Sequence, residues 1–286
     1  MTERAFSPAA KARFKTLFPE TAGTLTHGLS AHPLLSLEAL VALGQRLNPD
    51  HVEYNKADLP IGVDPSHVKG NGLSIAETIR RIEDNGSWMV LKWIENDPPY
   101  AALLHDTLSE LRALVEPVTG AMRKLEGFIF ISSPEAVTPF HMDPEHNILL
   151  QIRGTKAFST FPAVDATIVN DAEHERYHMG GHRNLPWLDR FAEKAVVHAM
   201  GPGDAIYVPV KVPHWVKVGP TLSISLSVTW RSEWGYRESE ARLMNAVLRD
   251  WGISPVAPAR FPAQNLPKAL AYRIARRLPG VKQWVQ

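Results

Sequence analysis

The chain reads as a mainly β core, a double-stranded β-helix or jelly roll, with helices before and after it. Three observations predict this. From Gly127 to Arg231 the sequence runs in short β-rich stretches separated by Gly and Pro, the spacing of a closed antiparallel double sheet. Upstream lie helix-start signals and apolar residues at helical spacing, and downstream a long amphipathic run begins at Glu238. The expected organisation is a mainly helical region over 1–126 packed on the core, a catalytic core over 127–235, and C-terminal helices over 236–286 with a basic tail.

Each element follows from a local signal. Ser36 can cap a helix over Leu37 to Leu47, and Ser74-Ile-Ala-Glu77 is a capping box whose helix should end near Asn85-Gly86. Ser87 to Trp93 reads as a strand. Pro98-Pro99 precedes a helix from about Tyr100 to Val115, and its stripe of Leu104, Leu108, Leu111 and Val115 is a packing face. Within the β region a helical insertion is expected near Leu185 to Ala195. Glu238 to Trp251 forms a helix with Leu243, Met244, Val247, Leu248 and Trp251 on one side, a face that packs on the core or on a second copy in a homodimer.

Inside the β region, His141-Met142-Asp143 places a histidine and a carboxylate two residues apart. Alternate residues of a strand share a face, so both can aim at one metal while Met142 points away. A rolled antiparallel sheet brings a distant strand across the same interior, and His214, at the end of Gly203-Asp-Ala-Ile-Tyr-Val-Pro209 and Pro213-His214, is placed to be a third ligand. Two histidines and one carboxylate fill one face of an octahedral ion and leave three positions open, the arrangement non-heme Fe(II) oxygenases use.

The text around these ligands, Thr138-Pro-Phe-His-Met-Asp-Pro-Glu-His-Asn147 followed by Ile-Leu-Leu-Gln-Ile-Arg-Gly-Thr-Lys156, resembles the Jumonji-C and cupin-like branch of the Fe(II)/2-oxoglutarate dioxygenases, and among them the asparaginyl-hydroxylase type. The likeness covers about 127 to 231. It implies Fe(II) held by His141, Asp143 and His214, with O₂ and 2-oxoglutarate as cosubstrates. The 1-carboxylate and 2-oxo group would chelate the metal, and the distal 5-carboxylate would meet Lys156 and Thr138 with Asn147 nearby. It further implies that Ser227 or Thr229 lines the cosubstrate pocket, although some relatives carry an asparagine near Thr229.

Without the family, Lys156 is a point charge suited to a dicarboxylate in a partly dry pocket, or a solvated lysine past the Gly154 turn. Arg153 competes for the role, and the fifteen-residue interval that favours Lys156 comes from the resemblance. Thr221, Ser223, Ser225, Ser227 and Thr229 alternate with apolar residues, so one face of that strand is wholly hydroxylic. By itself this reads as a half-exposed strand with its polar side in water. His146 has the wrong parity for the metal face and reads as supporting or surface. His174, His178 and His182 fall four apart, but Gly180-Gly181 argues for a solvated loop over a second metal site.

Composition narrows the function classes. With no cysteine, disulfides, cysteine-zinc sites and thiol nucleophiles are excluded. No secretory leader or membrane-length apolar run is read, and a cytoplasmic location is the expectation. Residues 251–286 carry Arg260, Lys268, Arg273, Arg276, Arg277 and Lys282 with no acidic residue, so the formal net charge of +1 hides +6 there and −5 elsewhere. A basic helix with Leu270, Ile274 and Leu278 on one face could touch nucleic acid, an acidic membrane surface or an acidic protein, but six charges are few for a dedicated nucleic-acid surface.

The function expected is hydroxylation, or oxidative demethylation, of a protein side chain or a small molecule with release of succinate and CO₂. Two alternatives stand beside it: a metal-dependent jelly-roll enzyme that does not use 2-oxoglutarate, with Lys156 facing solvent, and an inactive binding or regulatory protein.

Overall fold

The computed structural model describes residues 4–57, 60–62 and 71–277. Its elements in order are α1 (Pro8–Leu17), β1 (Gly23–Thr26), α2 (Leu37–Arg46), β2 (Val52–Lys56), α3 (Ile75–Arg80), β3 (Ser87–Lys92), α4 (Pro98–Ser109), α5 (Arg112–Thr119), β4 (Arg123–Ser132), β5 (Val137–His141), β6 (His146–Arg153), β7 (Lys156–Thr160), α6 (Asp171–His178), β8 (Val196–Met200), β9 (Asp204–Val208), β10 (His214–Val218), β11 (Ser223–Arg231), α7 (Glu233–Asp250) and α8 (Leu266–Ala275). Two antiparallel sheets form the core, as the jelly-roll expectation required. One has the order β1-β9-β6-β11-β4-β3-β2 and the other β5-β10-β7-β8.

The region before Gly127 is less purely helical than its sequence suggests. β1 pairs with β9, β3 with β4, and β2 with β3, so residues before the core extend the larger sheet at both edges. The helices of this region cover the outer face of that sheet. Phe14, Leu40, Leu43, Ile79, Leu104 and Leu108 join Ile129, Ile131, Leu226 and Val228 in the principal apolar core. The caps form as read: Ser36 Oγ accepts from Ala39 N–H, and Ser74 and Glu77 make the reciprocal capping box.

The helix expected over Tyr100 to Val115 is instead two helices that part at Glu110 and Leu111. Leu104, Leu108, Leu111 and Val115 are all buried, so the packing stripe continues across the break. The helical insertion is a 3₁₀ segment over Asp189–Lys194, shorter than read. The last long helix begins at Glu233, five residues early, because Ser232 caps it by accepting from Gly235 N–H.

α8 packs on α7 through Tyr272 and Ala275, whose partners include Leu243 and Val247. The expected apolar face is the outer one, with Leu270 51% and Ile274 65% exposed. Leu278 and Lys282 lie outside the described residues. Cations of the tail have partners within the chain: Arg260 meets Glu20, Arg273 meets Glu240, and Lys268 donates to Asn245. Among the described residues, no helix is long and apolar enough to cross a membrane.

Candidate functional site

The smaller sheet places the two candidate histidines. β5 and β10 are antiparallel neighbours with His141 directly opposite His214, and the register shifts between His214 and Val216. Asp143 follows two residues after His141, just beyond the strand. The three ligand atoms lie within 4.8 Å of one another. His141 Nε2 is 3.6 Å and His214 Nε2 3.8 Å from Asp143 Oδ2.

These separations fit a single ion. Two atoms that each bind an ion at about 2.1 Å can be at most about 4.2 Å apart. The ring orientations fit as well. His141 Nδ1 is 2.6 Å from Pro139 O and His214 Nδ1 is 2.9 Å from Val212 O. Each carbonyl accepts the Nδ1 proton, which leaves both Nε2 lone pairs turned to the same point. Burial, together with the adjacent His141, pushes His214 down to about 3, so this ring is neutral at ordinary pH. Burial would raise the Asp143 carboxyl, but His141, Arg183 and His214 hold it well below the usual carboxylate range. Neutral imidazoles and an ionised carboxylate are the protonation states a divalent cation requires.

The triad opens into a cavity of about 340 Å³ between the two sheets. Lys156, at the start of β7, lies in its wall. Val218 pairs with Lys156 and His214 with Thr160, so lysine and ligand lie four residues apart along β10, roughly 13 Å of strand. Lys156 is 5% exposed, its ammonium stands 5.7 Å from the Phe130 ring centroid, and no carboxylate among the described residues makes an ion pair with it. Burial pushes this lysine down to about 7. A buried cation without a counter-ion, facing a cavity, is a receptor for an anion.

Thr138, Asn147, Ser227 and Thr229 line the same cavity. Ser227 Oγ donates to Asn147 Oδ1 at 2.8 Å, and Thr229 Oγ1 to Glu126 O at 3.2 Å. The hydroxylic face of β11 therefore does not meet water. All nine residues of the strand are buried, and its polar side is split between the cavity wall and a hydrogen bond from Ser225 to Gln151.

The other histidines separate. His146 is fully buried and lies off the cavity, its Nδ1 2.7 Å from Tyr207 Oη and its Nε2 3.2 Å from Ser232 Oγ. His174 and His178 do not form a solvated loop: they lie buried on α6, which Asn170 caps and which ends just before Gly180 at φ 93°. His182 stands apart and accepts from Asn184 N–H. Among the described residues, His141, Asp143 and His214 form the single cluster able to hold a metal.

Several cavity residues carry no sequence signal. Arg183 Nη1 is 3.3 Å from Asp143 Oδ1. Tyr177 from α6, together with Trp93, Glu126 and Glu145, completes the walls. Glu145 pairs with buried Arg231 at 3.1 Å, and its burial raises its carboxyl despite that partner. Lys211, at φ 58°, sends its backbone N–H to Asp143 O at 2.7 Å and its ammonium to Glu238. A left-handed lysine is held in place by this buried pair and in turn fixes the backbone of Asp143.

A jelly roll with this triad between its sheets defines a class. Residues 94–235 match the cupin-like domain family, and through this domain the chain belongs to that family. No curated protein sequence matches the chain. Among solved structures it is similar to Escherichia coli YcfD at 16% identity and a TM-score of 0.54, over 98% of this chain and 70% of that one. A further YcfD structure, described as a ribosomal oxygenase in complex with cobalt and 2-oxoglutarate, aligns at 15% identity and a TM-score of 0.50, over 96% and 68% of the two chains. At such identities the likeness speaks for the shared fold.

Proposed function

We propose that the protein is an Fe(II)- and 2-oxoglutarate-dependent oxygenase that hydroxylates, or oxidatively demethylates, a protein side chain or a small molecule. The observation that carries this reading is one cavity with a three-ligand facial site at one end and a buried, unpaired lysine in its wall. A dicarboxylate that chelates a metal and ends in a second carboxylate matches both ends at once. A jelly-roll enzyme that does not use 2-oxoglutarate has no use for such a lysine and would be expected to turn it to solvent.

His141, Asp143 and His214 would hold the Fe(II). When bound, the metal supplies an open coordination face at which O₂ and the keto acid can be brought together. The protein's residues do the rest. His141 and His214 keep their Nε2 atoms on the cavity through hydrogen bonds to Pro139 and Val212 carbonyls. Lys156 would take the distal carboxylate, with Thr138, Asn147, Ser227 and Thr229 beside it as hydrogen-bonding groups. Phe128, Phe130, Leu149, Phe158 and Val216 add an apolar stretch to the wall, which lowers the local polarity and strengthens charge pairing beside it.

The test is conversion of 2-oxoglutarate to succinate by the Fe(II)-loaded protein in air. Wild type is expected to exceed Asp143→Ala and Lys156→Met at equal protein concentration. Equal rates in all three, with metal bound to wild type, would contradict the proposal.

A further inference from the structure

Asp143 offers two carboxylate oxygens, and the structure treats them differently. Oδ2 faces the Nε2 atoms of both histidines, whereas Oδ1 faces the guanidinium of Arg183. Backbone pairing fixes where Arg183 stands. Met142 N–H donates to Arg183 O at 3.3 Å, His141 bridges to Asn184, and Leu185 N–H donates to Phe140 O at 2.9 Å. A segment forty residues downstream thus adds a short antiparallel rung to the strand that carries the ligands. Arg176 of α6 braces that segment, donating to His182 O at 3.2 Å and Asn184 O at 3.5 Å. α6 is itself tied to α7 by Asp171 with Arg242 and by Glu175 with Arg249.

We infer that Arg183 is a positioning residue that keeps Asp143 a one-oxygen ligand. This rests on the proposed metal site. A carboxylate free at both oxygens can swing to bind an ion through the pair, which would take one of the three positions that cosubstrate and O₂ need. A guanidinium hydrogen-bonded to Oδ1 opposes that swing, because chelation would break a charge-assisted bond. The role belongs to the insertion between β7 and β8, which would otherwise be only a cover over the cavity.

The experiment uses saturating Mn(II) on the full chain and reads water-proton relaxation per bound ion. Wild type with three protein ligand atoms keeps about three inner-sphere waters, and Arg183→Met, in which Oδ1 joins the metal, keeps about two, a fall of about one third. Methionine retains the aliphatic stem, and the Arg183 side chain is 45% exposed, so no buried hole is left. Arg183→Lys restores a cation and is expected to keep the wild-type value. Wild-type relaxation per ion in Arg183→Met, with Mn(II) bound, overturns the inference and leaves the metal site standing. Wild type that binds Mn(II) no better than Asp143→Ala overturns the site and the inference together.

Discussion

Replacing Lys156 by Met removes, at nearly constant volume, the one buried cation in the cavity wall that lacks an acidic partner among the described residues. Burial takes this ammonium from 10.5 down to about 7, which corresponds to about 5 kcal/mol of unfavourable environment for the charged form. A carboxylate set beside it recovers part of that cost. Without the lysine, the same carboxylate would enter a dry wall unpaired, and losing one partner of a buried pair costs about 3–5 kcal/mol. Even the lower figure weakens 2-oxoglutarate about a hundredfold, since each 1.4 kcal/mol is a factor of ten. The assay is calorimetric titration of 2-oxoglutarate into Mn(II)-saturated protein under nitrogen, with metal affinity measured in parallel. A dissociation constant within about threefold of wild type would refute the assignment, and Arg153 would become the residue to replace next.

The same lysine gives a pH dependence. Its folded pKa lies below its unfolded value, so its charge weighs against the fold fully below about pH 7, and stability should rise between about 7 and 10.5. Binding of the dicarboxylate favours the protonated form, so above about pH 7 the affinity for 2-oxoglutarate should fall about tenfold per pH unit. Lys156→Met should flatten that slope, and equal slopes in the two proteins would contradict this origin. Lys211→Met leaves Glu238 with Arg242 alone and should cost about 3 kcal/mol, read as a melting temperature lowered by roughly 6–10 °C; a shift below about 2 °C would contradict it. Gly154 sits at φ 70°, where an added Cβ would stand 2.1 Å from Leu222 O. Gly154→Ala should therefore displace the turn before Lys156, lowering both stability and 2-oxoglutarate affinity. Near-native melting and binding would show that the turn can adapt.

The candidate triad was legible from its spacing, although Asp143 lies just beyond β5 rather than on it, and the Gly-Asp and Pro-His punctuation marks where β9 begins and β10 starts. Period-two alternation also found β11, but alternation cannot say whether the polar face meets water or an enclosed cavity. The closure of two sheets decides that, and it is a tertiary fact. Lys156 illustrates a different limit, since only the family resemblance separated it from Arg153.

The rest was hidden for identifiable reasons. Arg183 reaches Asp143 through an isolated backbone bridge between segments forty residues apart, which leaves no periodic trace. At 171–178 the glycine pair was read as a loop, whereas Gly180 lies just past the end of a helix that Asn170 starts. On α8 the large apolar residues drew attention to the wrong face, because packing on α7 uses Tyr272 and the small Ala275. The parting of α4 from α5 carries neither Gly nor Pro, and its apolar stripe runs on unbroken.

The most direct test of the account is spectroscopic and needs no substrate. Protein loaded anaerobically with Fe(II) and mixed with 2-oxoglutarate should develop the visible charge-transfer band of the chelate, absent in Asp143→Ala and displaced to much higher 2-oxoglutarate concentration in Lys156→Met. Metal bound at the triad with no band at saturating 2-oxoglutarate would contradict the central claim.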